Sequence, residues 1–383
     1  MLIKTLELIN FRSHRHLTLN LSPKVNVFVG RNGAGKTNIL EAIYCLATAE
    51  SHRTTQKSAL IHKQELEKNE NVPVEQEKDV TSLLDYAIIR AKVINEKADS
   101  ENTFAMQITE SKTYAKLNSS EPVPASRAVG YVKTTLFSPQ DTQIVLLGPE
   151  YRRKFIDSVI IQLDSAYLEL LHEFDKVAKQ RKALIKSLFT PVFMNHQPLG
   201  ENFWLWTNRF LEFGTKITET RAKFITELEK HAASKYKEIA NGKPYNLNLN
   251  YLPSITDETR AKLPQIAMDE IRRGTNLFGP MRDELELKIE DYPAKSFASS
   301  GEQWSLVLAL KFAAFELLSH KEMGILLLDD VFSELDDVRR AEIANLVLHS
   351  RQTLITAASM DDVPKNIDAK IFEVANNNVR EVV

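Results

Sequence analysis

The sequence predicts an α/β fold interrupted by a mostly helical insertion, and three observations predict it. Near the N-terminus a strand, a glycine-bearing loop and a helix follow one another between Val25 and Leu46. Near the C-terminus a second apolar run, Gly324-Ile325-Leu326-Leu327-Leu328, ends in Asp329 and Asp330. Between them lie two long segments whose apolar residues recur at helical spacing.

Val25-Asn26-Val27-Phe28-Val29 is a short, β-branched apolar run of the kind that makes a buried strand. The loop from Gly30 to Gly35 then places three of the chain's 12 glycines within six positions. From Lys36 the spacing turns helical, with Ile39, Leu40, Ile43 and Leu46 on one face. In that setting G-x-x-x-x-G-K-[ST] reads as a phosphate-binding loop. A triphosphate needs several backbone N–H groups pointing inward, so side chains must be absent where the chain curls; Gly30, Gly33 and Gly35 meet that need. The helix start adds unpaired N–H donors and the positive end of its dipole. Lys36 can reach the β- and γ-phosphates, and the Thr37 hydroxyl can hold Mg²⁺.

The middle of the chain differs in character. Pro149 suits a helix start, and Phe155, Val159, Leu163, Tyr167, Leu171 and Phe174 follow at three- and four-residue steps. A second stretch carries Phe203, Trp206, Phe210, Ile217, Phe224 and Leu228, with Pro191 to Gly200 between the two. Two long helices joined by a turn predict an antiparallel arm. The expected division is 1–133 for the N-terminal part of the nucleotide-binding lobe, 134–245 for the arm or lid, and 246–383 for the C-terminal part. Within the arm, "KVAKQRKALIK" from Lys176 to Lys186 has five basic residues and no acidic one. Lys176, Lys179, Lys182 and Lys186 form one helical stripe, either a solvated face or a contact for a DNA backbone.

In a parallel sheet with the loop-bearing strand, the tip at Asp329 comes to the metal beside Thr37. Asp330, one residue on, is placed to orient or deprotonate the attacking water. Just upstream, "SFASSGEQWSLVLALKFAAFELL" opens a long helix at Ser299-Ser300-Gly301-Glu302, with an apolar stripe through Leu306, Leu310, Ala313 and Leu317. A serine, a glycine and a fresh helix N-terminus make an anion site, or simply a cap. The Lys36 loop already encloses its own phosphates, so this second site is expected to close over the γ-phosphate bound by another copy of the chain. Ser333-Glu334-Leu335-Asp336 follows the double aspartate.

Composition sets the remaining bounds. At 43% hydrophobic and 26% charged the chain can bury large cores, and its formal net charge of −2 leaves any nucleic-acid surface to a local patch. The N-terminus lacks a signal-peptide apolar region and no apolar run approaches about 18 residues. The one cysteine, Cys45, excludes a disulfide framework, and the nine histidines show no metal-ligand spacing. His62 to Asp79 is polar and mixed in charge, an expected exposed insertion.

"GRNGAGKTN", "SSGEQ", "LLLDD" and "SELD" resemble the Walker A, signature, Walker B and D-loop motifs of ABC-type ATPase heads. The opening "LELINFRSHRHLTLNL" is similar to the start of SMC-like DNA-repair ATPases. Within that group, "GKTNILEAIYCLATAESHRT", "LFSPQDTQIVLLGPEYRRKFID", "KQRKALIK", "GPMRDELEL" and "LLLDDVFSELDDVRR" follow in order the blocks of the RecF family of bacterial recombination mediators, across essentially the whole chain. The resemblance implies a P-loop NTPase of the SMC/ABC head type with a mixed sheet and a shortened arm. It implies ATP and Mg²⁺ as cofactors. Arg31, Asn32, Ala34 and Asn38 of the loop join Ser299, Gly301, Glu302, Ser333 and Asp336 as nucleotide contacts, and Gln140 joins Thr37 and Asp329 around the metal. Lys36 and Asp330 carry the chemistry. It further implies a weak, DNA-stimulated ATPase that dimerises on ATP and binds single-stranded, gapped and junction DNA. With RecR and RecO it would load RecA in recombinational repair, replication restart and the SOS response, in the bacterial cytoplasm at the nucleoid. Two departures stand out. Met281 and Glu284 replace the family's usual histidine and aspartate, and "QTLITAAS" lacks the switch histidine of transporter-type ATPases. A transporter ATPase would lack the arm and the "FRSHRHL" entrance. An overcoming-lysogenization-type nuclease head would need a nuclease domain, for which the roughly fifty residues after Asp330 are too few.

Overall fold

Continuous apolar runs such as Ile325 to Leu328 have no polar face to offer water, so they form strands covered on both sides. The structure, a computed structural model, describes residues 1–62, 85–95, 99–188, 199–239, 246–319, 324–364 and 367–382. The expected insertion therefore lies, apart from His62, outside the described residues, as does most of the turn from Pro191 to Gly200. Contacts divide the chain into two units, one of Met1–Gln140 with Phe315–Val383 and one of Asp141–Ala314.

The first unit holds two six-stranded sheets. One is antiparallel and built from β1 (Leu2–Phe11), β2 (His14–Asn20), β4 (Tyr86–Asn95), β5 (Ser100–Thr109), β6 (Thr113–Leu117) and β7 (Val123–Pro124), in the order β2-β1-β4-β5-β6-β7. The other comprises β3 (Val25–Val29), β8 (Thr134–Phe137), β12 (Ile325–Asp329), β13 (Gln352–Ala357), β14 (Ala369–Ala375) and β15 (Asn378–Val382). Its order is β15-β14-β3-β13-β12-β8, parallel throughout except for β15, which makes it the expected mixed sheet. Helix α1 (Lys36–Thr48) is buried on nearly every side, and Ile39, Leu40, Ile43 and Leu46 join Leu6, Phe28, Leu327 and Phe372 in one core. Phe28 stacks on Phe372 with ring centroids 5.0 Å apart. Helix α10 (Asp337–His349) links β12 to β13.

The second unit carries α2 (Gln143–Leu146), α3 (Pro149–Leu163), α4 (Ser165–Leu188), α5 (Glu201–Ile239), α6 (Asp257–Ala261), α7 (Leu263–Arg273), α8 (Ala294–Phe297) and most of α9 (Ser300–Ser319). A small sheet, β11 (Tyr292–Pro293), β10 (Glu284–Ile289) and β9 (Leu247–Leu252), accompanies them. Phe155, Val159, Tyr167, Phe174, Phe203, Phe210, Ile217, Phe224 and Leu228 of the periodic stretches are buried. Leu163 is 44% exposed, because the first stretch is two helices: α3 stops there, Asp164 is extended, and α4 restarts at Ser165.

The contact boundaries fall at 140/141 and 314/315, not at 133/134 and 245/246. Thr134 to Phe137 stays with the first unit because β8 pairs with β12. Residues 246–314 join the helices because Leu249 N donates to Glu229 of α5, and Arg152 of α3 makes a two-point pair with Glu284 (Nε–Oε1 2.8 Å, Nη2–Oε2 3.0 Å). Arg221 of α5 donates to both Asp157 and Asp283. Of Met281 and Glu284 in "GPMRDE", Glu284 is the carboxylate that holds Arg152.

Candidate nucleotide-binding site

The glycine loop connects β3 to α1 at the C-terminal edge of the parallel sheet. Gly30 has no room for a side chain, since a Cβ there would stand 2.1 Å from the Val374 carbonyl oxygen of the neighbouring strand β14. Its requirement is thus packing within the sheet. Gly35 caps α1 with φ of 102°, a backbone region that favours glycine, and a Cβ would also meet Ser13 Oγ at 2.9 Å. Arg31, Asn32 and Gly33 are exposed on the loop, and Ala34 is half-buried. Lys36 is only 3% exposed and folds back into the loop, its Nζ donating to Gly30 O at 2.7 Å and Arg31 O at 3.3 Å. That places the ammonium inside the ring of backbone that a phosphate chain would thread.

Parallel pairing brings the second motif to the same edge. Thr37 Oγ1 donates to Asp329 Oδ1 at 2.9 Å, although the two are 292 residues apart in sequence. Thr356, at the end of the intervening strand β13, donates to the same Oδ1 at 2.8 Å and accepts from Asp330 N at 2.9 Å. Burial pushes the Asp329 carboxyl up, against hydrogen bonds from Thr356 and Thr37 that favour the anion. Asp330 adopts φ of 50°, and its Oδ1 is buried without a hydrogen-bond partner among the described residues. A buried oxygen left open in this way is suited to a water or metal-bound group. Thr37 and Asp329 therefore offer hard oxygens suited to Mg²⁺, which typically takes one or two carboxylates and completes its shell with water and phosphate. Among the described residues there is no group of three or more His, Cys, Asp or Glu that could hold a metal unaided. Gln140 is exposed three residues beyond β8, whose Phe137 pairs with Leu328, so it follows the same sheet edge.

Asn38 turns away from the loop. Its Nδ2 donates to Ser13 Oγ at 2.8 Å and its Oδ1 accepts from Arg53 at 3.1 Å. With Arg12, His62 and Asn377 these residues line a cleft of about 730 Å³. Arg12 is held by the fully buried Glu41 (Nε–Oε2 2.8 Å, Nη2–Oε1 2.5 Å), which also accepts from Ser51. Thr356 and this arginine-lined cleft are what the sequence reading missed. Thr356 lies within "QTLITAAS", a segment notable in sequence only for a histidine it lacks, and Arg12 and Arg53 lie in the "FRSHRHL" and "SHRT" stretches without a role legible from spacing.

The remaining predicted residues are placed as follows. Ser333 is exposed, with Oγ donating to Asp330 O at 2.9 Å. Asp336 caps α10 by accepting from Arg339 N at 3.0 Å and pairs with the Arg339 guanidinium. In the second unit Ser299 and Glu302 form a reciprocal cap at the exposed start of α9, with Gly301 between them. Lys176, Lys179, Lys182 and Lys186 are all exposed on α4, yet Lys176 pairs with Glu173 and Lys179 with Asp175, each at 2.5 Å. The run's fifth cation, Arg181, is fully buried against Glu270 (2.5 Å) and beside three phenylalanine rings. Its role is structural. Within the stripe, Lys176 and Lys179 thus sit beside carboxylates of their own helix.

A glycine loop of phosphate-binding pattern on one strand and strand-end carboxylates on a parallel strand of the same sheet define a P-loop ATPase head. The RecF/RecN/SMC N-terminal domain family matches residues 2–380, and the chain belongs to it. It is 33% identical to the DNA replication and repair protein RecF of Staphylococcus aureus strain JH9, over 99% of this chain and 100% of that protein. Among solved structures it is similar to the recombination mediator protein RecF of the RecFOR pathway, solved as RecF-ATPrS. That match has a TM-score of 0.83 at 25% identity, covering 100% of this chain and 98% of that one. The Smc head domain of Pyrococcus furiosus shares the fold alone, with a TM-score of 0.52 at 18% identity, covering 99% of this chain and 95% of that one. Among the described residues no helix is long and apolar enough to cross a membrane.

Proposed function

We propose that this chain is an ATP-driven DNA clamp of recombinational repair, and that two copies close around two nucleotides. One observation carries the reading: the Thr37 and Thr356 hydroxyls both donate to one carboxylate oxygen of Asp329 beside the Lys36 loop. ATP with Mg²⁺ would supply the phosphoanhydride bond. Lys36 and the loop amides hold the β- and γ-phosphates, Thr37 and Asp329 hold the metal with Gln140 nearby, and Asp330 orients the attacking water. The cationic cleft of Arg12 and Arg53 suits the rest of the nucleotide. Ser299, Gly301 and Glu302, with Ser333 and Asp336, act on the nucleotide of the partner copy, so that ATP joins two heads and slow hydrolysis parts them. The similarity to RecF supports binding to single-stranded, gapped and junction DNA, stimulation of hydrolysis by DNA, and cooperation with RecR and RecO in loading RecA during the SOS response. A cytoplasmic, nucleoid-associated protein fits that work.

Light scattering of the purified protein, with and without ATP and gapped DNA, tests the reading. The mass should double with ATP and the dimer should be retained on DNA. A mass that ignores ATP would overturn the clamp.

A further inference from the structure

His14 begins β2 and is 1% exposed, wedged against the phosphate loop. Its Nε2 lies 3.3 Å from Gly35 O, the carbonyl of the residue that caps α1. Its Nδ1 lies 3.2 Å from the carbonyl of Asn377, in the turn between β14 and β15. Both neighbours are acceptors. A neutral imidazole carries one N–H and can satisfy one of them, whereas an imidazolium donates to both. The charged groups on the elements around His14 are Arg12 on the β1–β2 turn, Lys36 and Glu41 on α1, and His62, whose Nδ1 meets Arg12 O at 2.7 Å; Glu41 is already matched by its two-point pair with Arg12. The β14–β15 turn brings only Asn376 and Asn377. Burial lowers the His14 pKa against the hydrogen bonds to the Gly35 and Asn377 carbonyls, which raise it, and His62 adds a smaller lowering. The environment thus withholds the proton that the hydrogen-bond geometry calls for.

We infer that His14 is a positioning residue which ties the phosphate loop at Gly35 to the turn at Asn377, and that it takes up a proton when a nucleoside triphosphate enters the loop. Phosphate charge beside α1 supplies an anion that, unlike Glu41, is not already matched by an arginine. The second N–H then completes the link, and the loop, α1 and the last β-hairpin are fixed together only in the loaded state. This rests on the reading of the Lys36 loop as an ATP site.

Calorimetric titration of Mg²⁺-ATP, repeated in buffers of different ionisation enthalpy near neutral pH, measures the protons taken up. The wild-type chain should take up a substantial fraction of one proton. His14→Gln, whose side-chain amide can still donate to Gly35 O but cannot titrate, should take up less by that fraction. Wild-type affinity should rise relative to His14→Gln between about pH 8 and pH 6, by up to about tenfold, because one pKa unit of coupling is a factor of ten. Comparing the two proteins removes the titration of ATP itself. ATP binding with equal proton uptake by both overturns the inference and leaves the nucleotide site standing. Should His14→Gln fail to fold, ATP binding by the wild-type chain without proton uptake overturns it alone. No ATP binding by the folded wild-type chain overturns both.

Discussion

Lys36 and Asp329 are the two residues whose substitution separates binding from stability. Lys36→Met removes the charge at the β- and γ-phosphates while keeping an apolar stem of similar length. A charge-assisted hydrogen bond contributes about 1.5–3 kcal/mol, so ATP affinity should fall about 10- to 100-fold with an unchanged circular-dichroism spectrum. Normal ATP binding by the folded variant would sink the site. Asp329 is a different case. Its carboxyl is raised by burial, so the charged form costs stability as pH rises through the folded value, and the cost disappears at low pH where the folded chain is protonated. Without nucleotide or Mg²⁺, Asp329→Asn should therefore melt later at neutral pH, by roughly 1 kcal/mol, and the gain should shrink on acidification. The Thr37 and Thr356 hydroxyls keep their acceptor in the amide. An earlier melting point at neutral pH would show that the two threonines more than offset burial. Lys36, Thr37, Asp329 and Asp330 were legible because a phosphate loop and a strand-end carboxylate have fixed spacings. Thr356, Arg12, Arg53 and His14 were not, since their roles arise only when β1, β2 and β13 lie beside the loop.

At the scale of elements, strands and helices followed their apolar periods, and the errors sit where a period continues through a break. The stripe from Phe155 to Phe174 runs across Asp164, so it reads as one helix although α3 and α4 are two. Spacing also hid the depth of Arg181, which shares a basic run with four exposed lysines while lying against Glu270. Removing one partner of a buried pair strands the other charge, so Arg181→Met should cost about 3–5 kcal/mol in urea unfolding. Adding Glu270→Met should return much of that loss, and a single variant as stable as wild type would remove the structural role. The lysines divide by pairing. Lys182→Glu with Lys186→Glu should weaken DNA binding and flatten its salt dependence by about 2 in logarithmic slope. Lys176→Glu with Lys179→Glu should do less, because Glu173 and Asp175 already neutralise those positions. Equal effects of the two pairs, or none from either, would leave α4 a solvated face.

For the whole molecule, the capped serine of α9 and the open aspartate after β12 should fail in opposite ways. Ser299→Arg should bind ATP as a monomer and not dimerise; Asp330→Asn should dimerise on ATP and stay closed. In a mixture, a heterodimer has one composite site with both defects and one with neither, so some hydrolysis should return. If the mixed proteins stay as inactive as each alone, Ser299 does not act across the interface. The strand order has a further consequence, in time. β3 lies between β13 and β14, so the strand that launches the phosphate loop receives both neighbours from the end of the chain. Between Thr37 and Asp329 a ribosome adds 292 residues, which takes about 15–60 s at roughly 5–20 residues per second. The unit of Asp141–Ala314 is one uninterrupted stretch and emerges complete within that interval. It can fold while Val25 to Val29 is still unpaired, an exposed apolar strand within reach of chaperones or of other nascent chains. The inserted unit is free to mature first, and a polypeptide released before β12 lacks Asp329, the acceptor of the Thr37 hydroxyl.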